Sequence, residues 1–390
     1  MASRWGSCGW SPRPDGTLDT ALACHNGSVT SRREFLTSAS LLLAGAACRG
    51  GGSPSVQTFP STFVTPGNQT LEQHLVIASP QGQIDAQMLQ GFAARTGVEC
   101  VVQAMATGDE LLLRLAAGDF GQVDLALVDF STLSYLIDAG QVEPLARKLL
   151  PNQSRLQQPF DDSPIDRGLR HSVPASYDIV GVSVAAAAPI EADTWLALFA
   201  MAERHPGQVL VPDSADQVIG AVLVSLGHPW DSDSNGDLGD AHDRLAELRP
   251  ALHVLGARQR SAGRVSLLPV LGRLASSHAY RSQRRGERFF VPGEGSAVDL
   301  RSYCIPVYAP HPVVAHAWLE NWLDPSVEAP VLARSRVPVP LLEARASLPG
   351  TVLDNQAVCP PSEALAASVQ PNISAEGRLL RDQIWTELHL

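Results

Sequence analysis

The sequence predicts an α/β protein folded in two halves, each with its own sheet. Three observations predict it. Short apolar runs alternate with segments of helical period from residue 75 to residue 140. The alternation starts afresh beyond residue 170. A chain of 390 residues, 45% of them hydrophobic, is also long enough to bury two cores.

Leu75, Val76, Ile77 and Ala78 make the first strand. Met88, Leu89, Phe92 and Ala93 then recur at helical spacing, and Gly97 stands where that helix ends, since glycine tolerates a left-handed cap. Residues 98–102 form the second strand. Residues 109–117 form the second helix, with Leu111, Leu112 and Leu115 on one side and Gly118 behind it. Residues 123–128 are the third strand, and residues 131–139 the third helix, closed by Gly140. Strands alternating with helices imply a parallel sheet with right-handed crossovers. Ligands of such sheets bind beyond the carboxyl ends of the strands, here residues 79–83, 105–108 and 129–131. In the second half, residues 179–184 and 209–211 read as strands, and residues 216–226, 238–248 and 313–323 as helices.

The formal charge of −11 argues against nucleic acid as a partner, because phosphate binding draws on surplus Lys and Arg. Only 18% of residues are charged, too few for a disordered body. The apolar run 41–47 is too short to span a bilayer but matches a signal-peptide core. Before it, Ser31, Arg32, Arg33, Glu34, Phe35 and Leu36 resemble a twin-arginine export signal. After it, Gly45, Ala46, Ala47 and Cys48 resemble a lipobox, with Gly45 where Leu is usual. Residues 1–48 are therefore read as an export signal, with Cys48 the lipidated residue. Residues 1–28 read as lying upstream of a true start at Val29. Residues 49–71, rich in Gly, Ser, Thr and Pro, read as a flexible tether. Cys100, Cys304 and Cys359 then remain, enough for at most one disulfide, and no spacing resembles a zinc site.

From about residue 74 onward the chain resembles the spermidine/putrescine-binding proteins, a branch of the periplasmic solute-binding proteins of ABC importers. LQGFAARTGV at 89–98 is similar to the family's first helix running into its second strand. VDLALVDFSTLSYLIDAG at 123–140 is similar to its third strand and following helix. Val173 and Pro174, residues 194–199, 212–223, 292–295 and 318–325, and Val337 to Pro340 follow in the family's order. The resemblance implies a two-lobe periplasmic-binding-protein fold of type II, with the ligand in the interlobe cleft and hinge closure around it. Lobe 1 is expected to span 72–176 plus 302–345, and lobe 2 to span 177–301 plus 346–390. Also implied are a small-molecule solute, ABC permease and ATPase subunits as partners, and a monomer. The expected place is the periplasm or outer face of a bacterial membrane, with membrane contact through the lipid anchor only. No cofactor and no enzymatic activity are expected. A ligand-degenerate sensor or scaffold on the same fold is the alternative.

Burying a polyamine requires a carboxylate for each ammonium end and favours aromatic walls. By the resemblance, the family's first-loop aromatic motif falls on Pro80, Gln81 and Gln83. The Ser and Tyr after the third strand fall on Asp129 and Ser131, and the acidic pair on Ser214 and Gln217. The Trp-x-Asp before the return crossover falls on Asp299 and Arg301, the late Tyr on Val337, and a C-terminal Gln on Gln370. These positions make Gln81, Gln83, Asp129, Ser131, Ser214, Gln217, Asp299, Arg301 and Gln370 the candidate ligand-binding residues. The family's carboxylates are replaced, one of them by arginine. Asp129, Asp178, Asp213, Asp216 and Asp299 are available to rebuild an acidic site, although Asp213 and Asp216 only flank aligned positions. Arg301 favours a solute with an anionic or neutral polar group over a polyamine. The opposing expectation pairs Arg301 with Asp299 or Glu294.

Asp231, Asp233, Asn235 and Asp237, with Gly236, match the opening of a calcium loop, but its twelfth position is His242. The stretch therefore reads as a surface loop leading into a helix. Arg281, Arg284, Arg285 and Arg288 read as a solvated basic face. His311 and His316 are five apart and do not share a helix face. No G-x-S-x-G, H-E-x-x-H, phosphate-loop or dinucleotide fingerprint occurs, so no nucleophile, metal ligand set or cofactor is nominated.

Overall fold

Local signals set the element boundaries in the computed structural model, which describes residues 70–105, 108–116, 123–255, 270–282 and 286–389. The export segment, Cys48, nearly all of the tether, Arg284 and Arg285 lie outside the described residues. No helix among the described residues is long and apolar enough to cross a membrane. In chain order the strands are β1 (His74–Pro80), β2 (Glu99–Met105), β3 (Leu125–Asp129), β4 (Ser172–Ala185), β5 (Val209–Pro212), β6 (Leu252–Leu255), β7 (Gly272–Ser276), β8 (Glu287–Phe290) and β9 (Val298–Cys304). The α-helices are α1 (Ala86–Thr96), α2 (Gly108–Ala116), α3 (Phe130–Asp138), α4 (Trp195–Arg204), α5 (Ala215–Ser225), α6 (Asn235–Leu248), α7 (Pro312–Trp322), α8 (Pro325–Ser335), α9 (Gly350–Leu353), α10 (Ser362–Ala366) and α11 (Ala375–Glu387).

Capping explains where several helices begin. Asp85 accepts the Met88 N–H at 2.8 Å to open α1, and Gly97 closes it at φ 75°. Asp129, Thr194, Ser234 and Ser374 cap α3, α4, α6 and α11 in the same way. Pro312 and Pro325 open α7 and α8, where a missing N–H is harmless.

The strands form one path, β2-β1-β3-β9-β4-β7-β5-β6, with β8 also on β4. β1 is parallel to β2 and β3, and β5 is parallel to β6 and β7. β9 is antiparallel to both β3 and β4. The two sheets expected from the sequence are therefore linked, and the length of β4 links them. Its residues from Ser172 to Ile179 pair with β9, and those from Val180 to Val184 pair with β7. Periodicity predicts only 179–184 as strand. The earlier part contains Pro174, which lacks an N–H, and the ladder passes it by a register shift between Pro174 and Ser176.

Three apolar clusters hold this frame. Leu75, Ile77, Leu125 and Leu127 face the first, with Phe92, Trp318 and Trp322. Ala78, Ala126 and Val128 face the third, with Leu133 and Leu136. The alternation follows from the period of two along a strand, and it leaves β1 and β3 covered on both faces. The second cluster gathers Val180, Val182 and Val184 with Trp195, Phe199, Val222 and Leu245. Trp195 and Trp318 are wholly buried, so truncating either to Ala is expected to cost about 3–5 kcal/mol. Cys100, Cys304 and Cys359 are all free thiols. Burial pushes the Cys304 thiol up to about 12 and Cys100 up to about 11, which suits packing rather than reactivity.

Candidate functional site

β4 and β9 carry charge where they run from one cluster to another. Asp178 lies opposite Asp299, Ser176 lies opposite Arg301, and Arg301 lies opposite Asp129 on its other side. Opposed residues, and residues two apart, share a sheet face. Asp129, Asp178, Asp299 and Arg301 therefore stand on one face. Three carboxylates so placed repel one another, and neighbouring donors relieve the strain. Asp178, 5% exposed, accepts from Arg281 Nη2 at 2.7 Å and from Ser277 Oγ at 3.1 Å, and faces Arg301 Nη1 at 3.3 Å. Asp129 Oδ1 accepts the Thr132 N–H and the Ser131 hydroxyl, each at 2.8 Å. Asp299 differs: its carboxyl makes no hydrogen bond or ion pair among the described residues. Its side chain is exposed to solvent. Lost solvation there raises its pKa; Arg301 pulls the other way, and Asp178 and Asp129 add to the rise.

A cavity of about 270 Å³ opens on this face. Asp178 and Asp299 line it, together with Phe130 at the start of α3 and with Asp216, Trp230 and Arg378. Asp216 sits in the first turn of α5, and its carboxylate also makes no hydrogen bond or ion pair among the described residues. The Trp230 indole fits because Gly220 presents no side chain; a Cβ there would collide with it. Behind this wall Arg381 is fully buried. It donates to the carbonyls of Trp230 at 2.8 Å, Ser232 at 3.2 Å and Asp216 at 3.4 Å, tying α5 and the Trp230 loop to α11. Burial lowers the Arg381 pKa, while Asp216, Asp233 and Asp231 oppose the shift.

The calcium-like loop serves the same wall. Asp231 accepts the Asn372 N–H at 3.1 Å and Asp233 accepts the Ser374 N–H at 3.0 Å, which holds the segment carrying Pro371 and Ile373 against the cavity. Asp237 accepts the Ser232 hydroxyl at 2.6 Å, and Ser234 caps α6. That helix thus begins at Asn235, before the expected 238. Among the described residues no group of three or more His, Cys, Asp or Glu could hold a metal ion.

The nine candidate residues separate. Gln217 and Asp299 line the cavity, joined by Asp178 and Asp216 of the acidic set. Asp129 and Arg301 stand beside it without lining it. Gln83 lines a second cavity of about 260 Å³ with Asp85, Met88, Trp322 and Val337. Gln370 is buried beside a third, of about 350 Å³, where its amide donates to Pro159 O at 2.6 Å and Asp162 O at 3.0 Å. Gln81, Ser131 and Ser214 line none of the three. Arg301 makes no hydrogen bond to Asp299 or Glu294; Asp178 takes its guanidinium, and Glu294 accepts the Trp195 N–H at 3.0 Å. His316 Nε2 accepts the Ala146 N–H at 2.9 Å, and His311 Nδ1 lies 3.0 Å from Asp124, so both histidines serve packing. Phe130, Trp230 and Arg378 line the cavity without a sequence signal, because each type is common in structural roles.

Comparison with known proteins places this geometry in context. A family model described as bacterial extracellular solute-binding protein matches residues 87–347. The putrescine/cadaverine-binding protein of Pseudomonas aeruginosa is 25% identical over 275 residues, covering 65% of this chain and 76% of that protein. The spermidine/putrescine-binding periplasmic protein 1 of Haemophilus influenzae is 20% identical over 310 residues, covering 77% and 84%. Among solved structures, the spermidine/putrescine ABC transporter substrate-binding protein PotD from Streptococcus pneumoniae superposes with a TM-score of 0.72 at 20% identity, covering 82% of this chain and 99% of that one.

Proposed function

The chain belongs to the bacterial extracellular solute-binding proteins, with the type II periplasmic-binding-protein fold, and from that premise we propose that it captures a small amine-bearing solute for an ABC importer. The single observation that carries the solute class is the pair of carboxylates without a hydrogen bond or ion pair among the described residues, Asp216 and Asp299, lining one cavity with Phe130 and Trp230. An ammonium buried there gains charge-assisted hydrogen bonds and an aromatic wall. The curated relatives are named for putrescine, cadaverine and spermidine, which supports an amine. Arg301 is committed to Asp178, so it gives no support to an anionic solute met by that residue. An open cavity, not filled by the chain's own side chains, favours solute capture over the ligand-degenerate alternative.

Lobe 1 is assigned around the first and third clusters and lobe 2 around the second. β4 and β9 make two of the crossings. The third is assigned between Leu365, packed in the first cluster, and Val369, packed against the second, later than the expected 345. Export through the twin-arginine segment, a lipid anchor at Cys48, the monomeric state and docking to permease and ATPase subunits belong to the same proposal. A thermal-shift screen of the full-length chain against amines, sugars and carboxylates tests the solute class. The expected result is stabilisation by an amine that Asp299→Asn abolishes; stabilisation by an uncharged sugar, unmoved by that substitution, would refute it.

A further inference from the structure

The charges around the cavity point to a narrower class of solute. Asp178 is already answered twice, by Arg281 at 2.7 Å and Arg301 at 3.3 Å. Of the lining carboxylates only Asp216 and Asp299 are left for a ligand. Arg378 of α11 lines the same cavity, and its guanidinium has no hydrogen-bond or ion-pair partner among the described residues. Counting the lining carboxylates Asp178, Asp216 and Asp299 with the two arginines bound to Asp178 and the lining Arg378 gives three formal charges of each sign. Asp129, just outside, is held at the N-terminus of α3, whose dipole favours its negative charge. A site so balanced suits a ligand with no net charge. A diamine would bring one ammonium for each free carboxylate but set a cation beside an unpaired guanidinium, and a longer polyamine would add ammonium groups in excess of those carboxylates; unpaired charge taken out of water is costly.

We propose that the solute is a small amino acid in the zwitterionic form, its ammonium held by Asp216 and Asp299 and its carboxylate met by Arg378. Arg378 is then the residue that sets specificity, since a guanidinium fork matches a carboxylate. This inference rests on the amine-site reading above. It also moves the anionic contact from Arg301, which Asp178 occupies, to Arg378.

Two probes of equal length separate the possibilities: 4-aminobutanoate and 1,4-diaminobutane, titrated calorimetrically into the full-length chain. The amino acid is expected to bind at least tenfold more tightly than the diamine. Arg378→Gln, at an exposed position, is expected to weaken the amino acid at least tenfold and to strengthen the diamine; Arg378→Lys restores part of the amino-acid affinity. Asp216→Asn and Asp299→Asn weaken both probes. Tighter binding of the diamine by the unmodified protein, still abolished by Asp299→Asn, overturns the zwitterion and leaves the amine site standing. If neither probe binds, or if the two Asp variants change nothing, the amine site falls and the zwitterion with it.

Discussion

Glu328 makes the stability of this protein depend on pH in a direction opposite to that of an ordinary carboxylate. It is wholly buried on α8; Oε2 accepts the Leu341 N–H at 3.0 Å, and Oε1 has no hydrogen-bond partner among the described residues. Burial raises its pKa well above the ordinary 4.5, the Leu341 N–H opposes the rise, and Asp324 adds to it. The folded chain thus keeps a proton that the unfolded chain releases once pH exceeds about 4.5. This group's stability contribution is complete below that pH and declines as pH rises toward the folded value. The slope is at most ~1.4 kcal/mol per pH unit. Glu328→Gln has no titrating proton; its amide, like the protonated carboxyl it replaces, brings a donor that finds no acceptor among the described residues. The stability of the variant is therefore expected to gain on that of the native protein as pH rises from 4.5 to 8, by at most ~1.4 kcal/mol per pH unit. Urea unfolding of both proteins between pH 4.5 and 8 measures this. Glu320, raised to about 7 by burial, and His316, lowered by burial, titrate in the same window in both proteins and cancel in the difference. Two stability curves running parallel across the range would refute the reasoning.

Other perturbations test the site and its frame. Asp299→Asn should lower affinity for the amine probe by roughly tenfold or more, since a charge-assisted hydrogen bond contributes about 1.5–3 kcal/mol; calorimetry reads it, and unchanged affinity contradicts the assigned role. Arg301→Gln leaves Arg281 on Asp178 but removes a positive neighbour of Asp299, so affinity for a cationic probe should rise a few-fold and the gain should shrink in high salt. Gly220→Ala drives a methyl group into the Trp230 indole, with an expected loss of about 1–3 kcal/mol in urea unfolding and an altered tryptophan emission; native-like stability would mean that Trp230 relocates freely.

Much of the frame was legible because its causes are local. The helix ending at Gly97 and the strand β3, which begins at Leu125, two residues after the expected start, follow from periodicity and a left-handed glycine, signals contained within a few residues. β4 was only half legible, since Pro174 interrupts the pattern and the ladder absorbs it through a bulge. Asp216 was discounted because it flanks an aligned position, yet it lines the cavity from the first turn of α5. The calcium-like spacing of Asp231 and Asp233 was equally visible, but its use as an anchor for Asn372 and Ser374 depends on a segment 141 residues away.

The amino-acid order alone determined the α/β class, the succession of strands and helices, and a resemblance to the solute-binding family, because these rest on spacing and on local capping. Only the folded chain decided which charges stay free to meet a solute. Arg281 reaches Asp178 across 103 residues and Arg381 reaches Trp230 across 151. Pairings that distant leave no periodic trace, and they alone separate the neutralised Asp178 from the open carboxylates of Asp216 and Asp299.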